Sequence, residues 1–441
     1  MSGATGTTAA AGTPGTGTTG TPLAPRQLGM TASSFGLIAG KVAAMGLGFL
    51  FWLAAARLAP AHDVGLAAGT VSAMMLCVQV ALLGVGAAFI ATYPTQLDRS
   101  ALLDAAISLA ALAGLAAAGA FVGLTAVGLR ELNILASSPP YALWFLVAGS
   151  AGTVGVVLDQ ISMAQGRGDQ VLARNAVNGI VTLAPLAVFA GMSWRPTSTA
   201  LFSLWSLGAV AALVLAAHQL RATTAGYGYR PRLPAPLARA LVRDGLGHYA
   251  LTCAERLPAL VLPVLITELL APETNAYWYA VWMAAWGAYV VPVSVGIGLF
   301  AEGSHRPGRL RASTGRAVRS SLAIGAAAAA ALGLGAPLVL GALGRDYAAA
   351  GVTPLRVLVL GMAPLAVVHA YYAVARVRRR LVEAAATAAS SGVLGVAAVL
   401  VAGARGGLAA MALSWVAVQL LAAVWSGLRL RALLADRVAA P

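Results

Sequence analysis

Four ionisable residues lie inside long apolar stretches of the sequence: Lys41, Asp159, and the adjacent pair Glu255 and Arg256. Burying one such side chain near the middle of a membrane helix costs roughly 2.5 to 3.5 kcal/mol, so each needs a partner or a polar cavity. All four are expected within about 6 to 15 Å of the same membrane surface, from the rise of 1.5 Å per helical residue. They are therefore candidates to line one cavity.

Lys41 and Arg256 are candidate ligands for an anion. An offset of 212 residues between the two halves of the chain carries position 41 to 253, less than one helical turn from Arg256. One cation on each side of a low-dielectric cavity would stabilise an anionic ligand, and the arginine adds a bidentate donor that lysine lacks. The alternative is a closed salt bridge, Lys41 with Glu255 or Arg256 with Asp159.

The stretch around Glu255 carries one polar stripe. His248, Thr252 and Glu255 follow one another at positions i, i+4 and i+7, which share one helical face. We predict that this face meets the cavity; alternatively, His248 is only hydrated at the membrane surface. Pro258 and Pro263 follow and predict a kink, which is either a bending point or static.

A second stretch carries an aromatic face. Trp278, Trp282 and Trp286 are spaced by four residues, and Tyr289 follows three later. Flat aromatic rings suit the apolar faces of sugars, so we predict sugar or lipid contact for Trp282, Trp286 and Tyr289. The alternative is an aromatic belt at the membrane interface.

Asp159 is a candidate for ion coupling. As an acid within an apolar stretch of the first half, it can bind a counter-ion or a proton. The alternative is a salt bridge with a nearby arginine such as Arg167.

The elements that hold these residues are membrane helices. Of 441 residues, 59% are hydrophobic and only 10% are charged, against about 25% charged in an average soluble domain. Lipid is then the main solvent, and the fold class predicted is an all-α polytopic membrane protein. Twelve spans are expected, at 34–56, 64–91, 101–128, 141–163, 171–191, 198–217, 246–270, 275–299, 320–343, 354–375, 382–403 and 407–428.

The arginine distribution predicts the orientation. With the N-terminus in the cytoplasm, cytoplasmic segments hold 20 arginines and the opposite loops hold five: Arg57, Arg130, Arg195, Arg345 and Arg405. Both termini are therefore expected in the cytoplasm, with the chain in the cell (inner) membrane. The net charge of +15 lies mostly in loops beside lipid headgroups, and nucleic acid is not an expected partner.

The spans divide into two lobes. We predict a disordered tail at 1–33, a six-helix lobe at 34–217, a polar connector at 218–245, a second six-helix lobe at 246–428 and a tail at 429–441. The pattern predicts that the two lobes are a parallel repeat, because the sequence Leu-Ala-Pro at 58–60 recurs at 270–272. Such repeats place a substrate cavity between the lobes, which opens to alternate sides.

Four stretches resemble one family. They are AARLAPAHDVGLAAGTVSAMM, DQISMAQGRGDQVLARNAV, LGRDYAAAGVTPLRVLVLG and GARGGLAAMALSWVAVQ, in this order along the chain. The sequence resembles the oligosaccharide-lipid flippases of the multidrug/oligosaccharidyl-lipid/polysaccharide exporter superfamily. The resemblance implies a carrier that moves a polyprenyl-diphosphate-linked glycan from the inner to the outer leaflet for polysaccharide export. It also implies that the first, second, seventh and eighth helices line the cavity, where the two cations would hold the diphosphate.

Two other functions compete with this one. The same superfamily includes drug and cation antiporters, in which carboxylates would be expected rather than paired cations. A membrane-embedded glycosyltransferase or polymerase would need catalytic outer loops, whereas the outer loops here are short. The sequence has no metal-ligand spacing, phosphate loop or catalytic triad, so we expect neither an enzyme nor a cofactor. The expected partners are membrane lipid, the lipid-linked glycan, and a coupling cation or proton.

Overall fold

The computed structural model describes residues 45–192, 195–224 and 227–435, without the side chains of His248 and Pro307. Every regular element in these ranges is helical. The α-helices are α1 Met45–Leu58, α2 Ala61–Ala81, α3 Val85–Thr92, α4 Arg99–Gly128, α5 Ile134–Ser137, α6 Pro139–Ala164, α7 Gly168–Gly191, α8 Ser198–Thr223, α9 Ala235–Leu269, α10 Pro272–His305, α11 Leu310–Leu343, α12 Arg345–Leu360, α13 Met362–Val377 and α14 Leu381–Ala435. Short 3₁₀ helices cover Glu131–Asn133 and Pro307–Arg309. The predicted tail 1–33 and Lys41 lie outside the described residues.

The predicted spans fall on these helices. Within the described ranges, nine helices are individually long and apolar enough to cross a membrane, and α12 with α13 forms a further span bent by 41°. Helix α14 counts once among the nine but contains the non-helical Gly407, where two predicted spans meet. Helix α1 covers the described part of the first span. The chain is thus an all-α polytopic membrane protein, as predicted.

Two predicted spans are interrupted. The span predicted at 64–91 breaks between α2 and α3, where Leu83 and Gly84 adopt left-handed backbone conformations with φ of 47° and 76°. The span predicted at 354–375 bends between α12 and α13 at Gly361. Apolar composition alone predicts neither break, because it reports transfer into lipid rather than the backbone path.

The connector between the lobes is more helical than its polar composition indicates. Helix α8 continues to Thr223, and α9 begins at Ala235, with Pro236 in its first turn. Proline suits the first turn of a helix because the backbone N–H that it lacks has no intrahelical acceptor there. Hydropathy indicates the residue at which a helix leaves the lipid, but the backbone hydrogen bonds that define the helix continue into water.

The largest apolar cluster joins the lobes at one end. Helices α1–α8 form the N-terminal lobe, α9–α14 form the C-terminal lobe, and α2 packs against both α9 and α10. One large apolar cluster draws on both lobes. A second cluster packs α3, α4, α6 and α8 against the start of α9 through Leu241, and a third lies within the C-terminal lobe. We call the shared end the closed end and the opposite one, which carries the connector, the connector end.

Polar contacts reinforce the closed end. Arg57, at the end of α1, donates to the carbonyl of Ala342 at 2.6 Å. The carboxylate of Glu268 accepts the backbone N–H groups of Arg130 and Leu132, at 2.8 and 2.7 Å. At Gly65, a Cβ atom would lie 1.7 Å from the carbonyl oxygen of Pro272, so only glycine permits this approach.

Candidate functional site

Helix α9 crosses α2 in the antiparallel direction and touches it at two levels. At the closed end, the side chain of Thr267 packs on Gly69. At the connector end, the side-chain amide of Gln79 donates to the Tyr249 hydroxyl at 2.7 Å. Eighteen residues of α9 but only ten of α2 separate these levels, which is about 27 Å of helix against about 15 Å. The path along α9 is therefore the longer of the two.

Arg256 lies on α9 between these two contacts. It follows Tyr249 by seven residues and precedes Thr267 by eleven, which are close to two and three full helical turns. All three residues thus share the face of α9 that is turned towards the N-terminal lobe. Arg256 is nevertheless exposed, and among the described residues it has no hydrogen bond or ion pair. We infer an opening between the lobes at this level.

Two prolines follow Arg256 in α9. Pro258 and Pro263 lie inside α9, and each removes one backbone donor from the helix. Pro258 points away from the N-terminal lobe and packs closely on Gly392 of α14. The α9 segment that follows Arg256 therefore packs on α14.

Glu255 is oriented into the C-terminal lobe, unlike its neighbour Arg256. Its carboxylate lies 2.7 Å from the guanidinium of Arg376, near the end of α13, and both side chains are largely buried, at 16% and 17% exposure. This pair compensates one buried charge with another and ties α9 to α13. Glu255 therefore forms its ion pair with Arg376 and not with Arg256, although the charges of the two neighbours still interact electrostatically.

Asp159 pairs with Arg174 rather than with Arg167. The two charged groups approach to 2.7 Å inside the N-terminal lobe. Arg174 is buried and also donates to Gln219 at 2.7 Å and to Ser162 at 3.0 Å. The predicted ion-coupling residue thus belongs to a satisfied network of α6, α7 and α8.

The aromatic residues predicted to touch a sugar lie mainly inside the C-terminal lobe. Trp282 and Tyr289 are buried, with ring centroids 6.0 Å apart, and Trp282 meets Trp415 of α14 edge-on at 5.0 Å. The Tyr289 hydroxyl donates to the carbonyl of Leu358. Trp286, at 37% exposure, is the accessible member of the three.

The remaining predicted site residues are placed only in part. Lys41 lies outside the described residues, four positions before α1 as described. His248 is helical in α9, and its side chain is likewise outside the description. Thr252 is half-buried on α9. Ligand contact by these residues stays a prediction, and the described chain holds no group of three or more potential metal ligands.

Sequence reasoning missed two arginines. The sequence patterns assign no partner to Arg174, and Arg376 belongs to a run of arginines at the end of α13 that predicts orientation. A signal was available for both, since a carboxylate in an apolar span requires a cation within reach. Sequence spacing could not choose among the arginines, because helices distant in the chain supply the partners.

The fold is similar to that of solved MOP-superfamily transporters. Superposition on the inward-facing conformation of a multidrug resistance MATE family transporter gives a TM-score of 0.70 at 15% identity, covering 90% of this chain and 96% of that one. Lipid II flippase MurJ, in an inward closed conformation, matches with a TM-score of 0.67 at 11% identity over 91% and 87% of the two chains. A MOP transporter from Pyrococcus furiosus, described as having a binding pocket of reversed polarity, matches with a TM-score of 0.64 at 13% identity over 92% and 96%.

No protein-family model matches the sequence, and no curated protein is similar to it in sequence. At these identities the structural matches show the fold alone.

Proposed function

We propose that the protein is an alternating-access transporter that flips a polyprenyl-diphosphate-linked oligosaccharide between leaflets for cell-surface polysaccharide export. One observation carries this proposal: Arg256 is an exposed cation, facing the opposite lobe, with no counter-charge bound to it among the described residues. A cation at this depth requires an anion or water in an opening. A diphosphate group that has to leave water is an anion that such a cation stabilises.

The state of the lobes agrees with loading from the connector end. The largest apolar cluster and the Arg57 and Glu268 contacts hold the closed end together. At the connector end the lobes meet over less surface, through Leu241 and the Gln79–Tyr249 bond. The arginine bias predicts that the connector end faces the cytoplasm, where a lipid-linked glycan would enter. Transport would then run from the inner to the outer leaflet.

A drug or cation antiporter is the second candidate, because the same fold occurs in a multidrug transporter. Such a function would use a carboxylate to bind a cationic drug or a coupling ion. Asp159 and Glu255 both have arginine partners at 2.7 Å, which disfavours this use. We retain Asp159 as the proposed ion-coupling residue, since its side chain is still 30% exposed.

The decisive experiment measures flipping of a fluorescent polyprenyl-diphosphate oligosaccharide in proteoliposomes. We expect Arg256→Ala to abolish flipping and Arg256→Lys to restore it in part, because lysine returns the charge but not the bidentate geometry. Arg405→Ala is the matched control. Arg405 is also exposed, but it lies on α14 at the predicted outer side, outside the helices predicted to line the cavity. This variant should flip at the wild-type rate.

Three results would count against the proposal. Full flipping by a well-folded Arg256→Ala variant would remove the site assignment. Equal loss in Arg405→Ala would indicate a general effect of removing positive charge. Exchange of a cationic drug for protons or Na⁺, without glycolipid flipping by the wild type, would favour the antiporter.

A further inference from the structure

A groove of about 530 Å³ runs along the N-terminal lobe, away from the opening at Arg256. Helices α4, α6 and α8 form its walls, and residues of the connector close one end. Almost all of the lining is apolar, with Leu115 and Val147 both about 40% exposed to the surroundings. Since α4, α6 and α8 are membrane helices, the groove opens to lipid.

The length of the groove matches one leaflet. Its lining on α6 extends from Val147 to Leu158, which is about 16 Å at 1.5 Å per residue. One leaflet contributes about half of the 30 Å hydrocarbon core. A hydrocarbon chain that enters from the connector end and lies along α6 would thus reach the middle of the bilayer.

The connector end of the groove is polar and fixed in place. The Tyr227 hydroxyl donates to Asp104 at 2.7 Å, and the Tyr229 hydroxyl lies 3.1 Å from that of Ser108. The backbone N–H of Arg230 also donates to Asp104, at 3.2 Å. Burial, and then the bond to Asp104, raise the pKa of Tyr227, which keeps its hydroxyl protonated as a donor.

The free charge at this end is positive. Arg221 lines the groove in the last turn of α8, where it is exposed and has no hydrogen bond or ion pair within the described chain. The nearby Asp104 is buried and already accepts two hydrogen bonds. An apolar groove one leaflet long, with an arginine at the headgroup level, is complementary to a lipid whose headgroup is anionic.

We propose that this groove binds one anionic phospholipid of the leaflet at the connector end, with an acyl chain along α6 and the phosphate at Arg221. The site does not depend on the proposed transport function, because none of its lining residues belongs to the C-terminal lobe. Tyr227 and Tyr229 belong both to the groove and to the connector, so a bound lipid would contact the segment that joins the lobes.

The test titrates the purified full-length protein in detergent micelles with phosphatidylglycerol, phosphatidylcholine or glycerol phosphate, and counts bound molecules by native mass spectrometry. We expect the wild type to prefer phosphatidylglycerol. Arg221→Ala should weaken its binding about fivefold, the value of one arginine near an anionic headgroup, and should leave phosphatidylcholine unchanged. Arg311→Ala, which removes an exposed arginine from the first turn of α11, should leave the preference intact.

A second variant tests the apolar part of the site. Ala217 is exposed and lines the groove on α8, so Ala217→Trp should fill the groove and reduce the binding of both phospholipids. Val214→Trp is the control, because Val214 is exposed on the same helix but lies outside the groove.

Four outcomes would overturn the proposal. The first two are an unchanged phosphatidylglycerol preference in Arg221→Ala and an equal affinity of the wild type for both phospholipids. If glycerol phosphate alone displaced phosphatidylglycerol, the site would bind an anion without binding an acyl chain. Displacement of phosphatidylglycerol by a polyprenyl phosphate at much lower concentration would make the carrier lipid the occupant.

Discussion

Arg174 in the N-terminal lobe and Arg256 between the lobes are two arginines at membrane depth with opposite surroundings. Arg174 is 5% exposed in its side chain and is held by Asp159, Gln219 and Ser162. Arg256 is exposed and, among the described residues, has no bonded partner. The hydrogen-bond donors of Arg174 are occupied by side chains of its own lobe, whereas those of Arg256 are available to a ligand.

The difference teaches how to separate structural from functional charge in a membrane protein. A buried charge whose acceptors are all internal contributes to folding, and its removal strands the partner. An exposed charge on a face turned to the other lobe contributes little to folding and is available to a ligand. The two kinds of arginine should therefore separate cleanly when stability and transport are measured on the same variants.

The largest effect on stability is expected at Arg174. Arg174→Ala leaves the partly buried Asp159 carboxylate without its partner and removes the donor of Gln219 and Ser162, which costs about 3 kcal/mol, the low end of the range for buried pairs. We expect the free energy of unfolding in detergent micelles, measured by denaturant titration, to fall by that amount. Adding Asp159→Asn should recover much of the loss. An unchanged free energy of unfolding in Arg174→Ala would mean that Arg174, like Arg256, contributes little to folding.

An intermediate effect is expected at Arg376, the partner of Glu255. Arg376→Ala should lower the free energy of unfolding by about 1 to 3 kcal/mol, because the Glu255 carboxylate keeps its desolvation cost but loses its donor. Glu255→Gln added to this variant should restore stability in the same denaturant titration. Failure of the second change to restore it would mean that Arg376 acts through something other than this pair.

The smallest effect is expected at Arg256. Arg256→Ala should change the free energy of unfolding by no more than about 0.5 kcal/mol, as for ordinary exposed positions, while the flipping assay registers a complete loss. A drop as large as that in Arg174→Ala would remove the distinction between the two arginines. It would also make loss of flipping a consequence of misfolding.

The helical class and the span positions followed from the sequence. Long apolar blocks separated by short polar links form α-helices in lipid, because each backbone polar group there needs a hydrogen-bond partner within the protein. The breaks at Gly84 and Gly361 were invisible to this reasoning, because a glycine in an apolar block has the same transfer free energy whether or not the helix continues.

The sequence by itself also singled out the ionisable residues that need explanation, because charge in an apolar block is costly wherever the helix lies. It could not assign partners to them. Glu255 and Arg256 are neighbours in the chain but differ by about 100° around α9, so one meets Arg376 and the other faces the opposite lobe. Only the packing of α9 between α2, α13 and α14 decides which charge is compensated, since those contacts join residues more than a hundred positions apart.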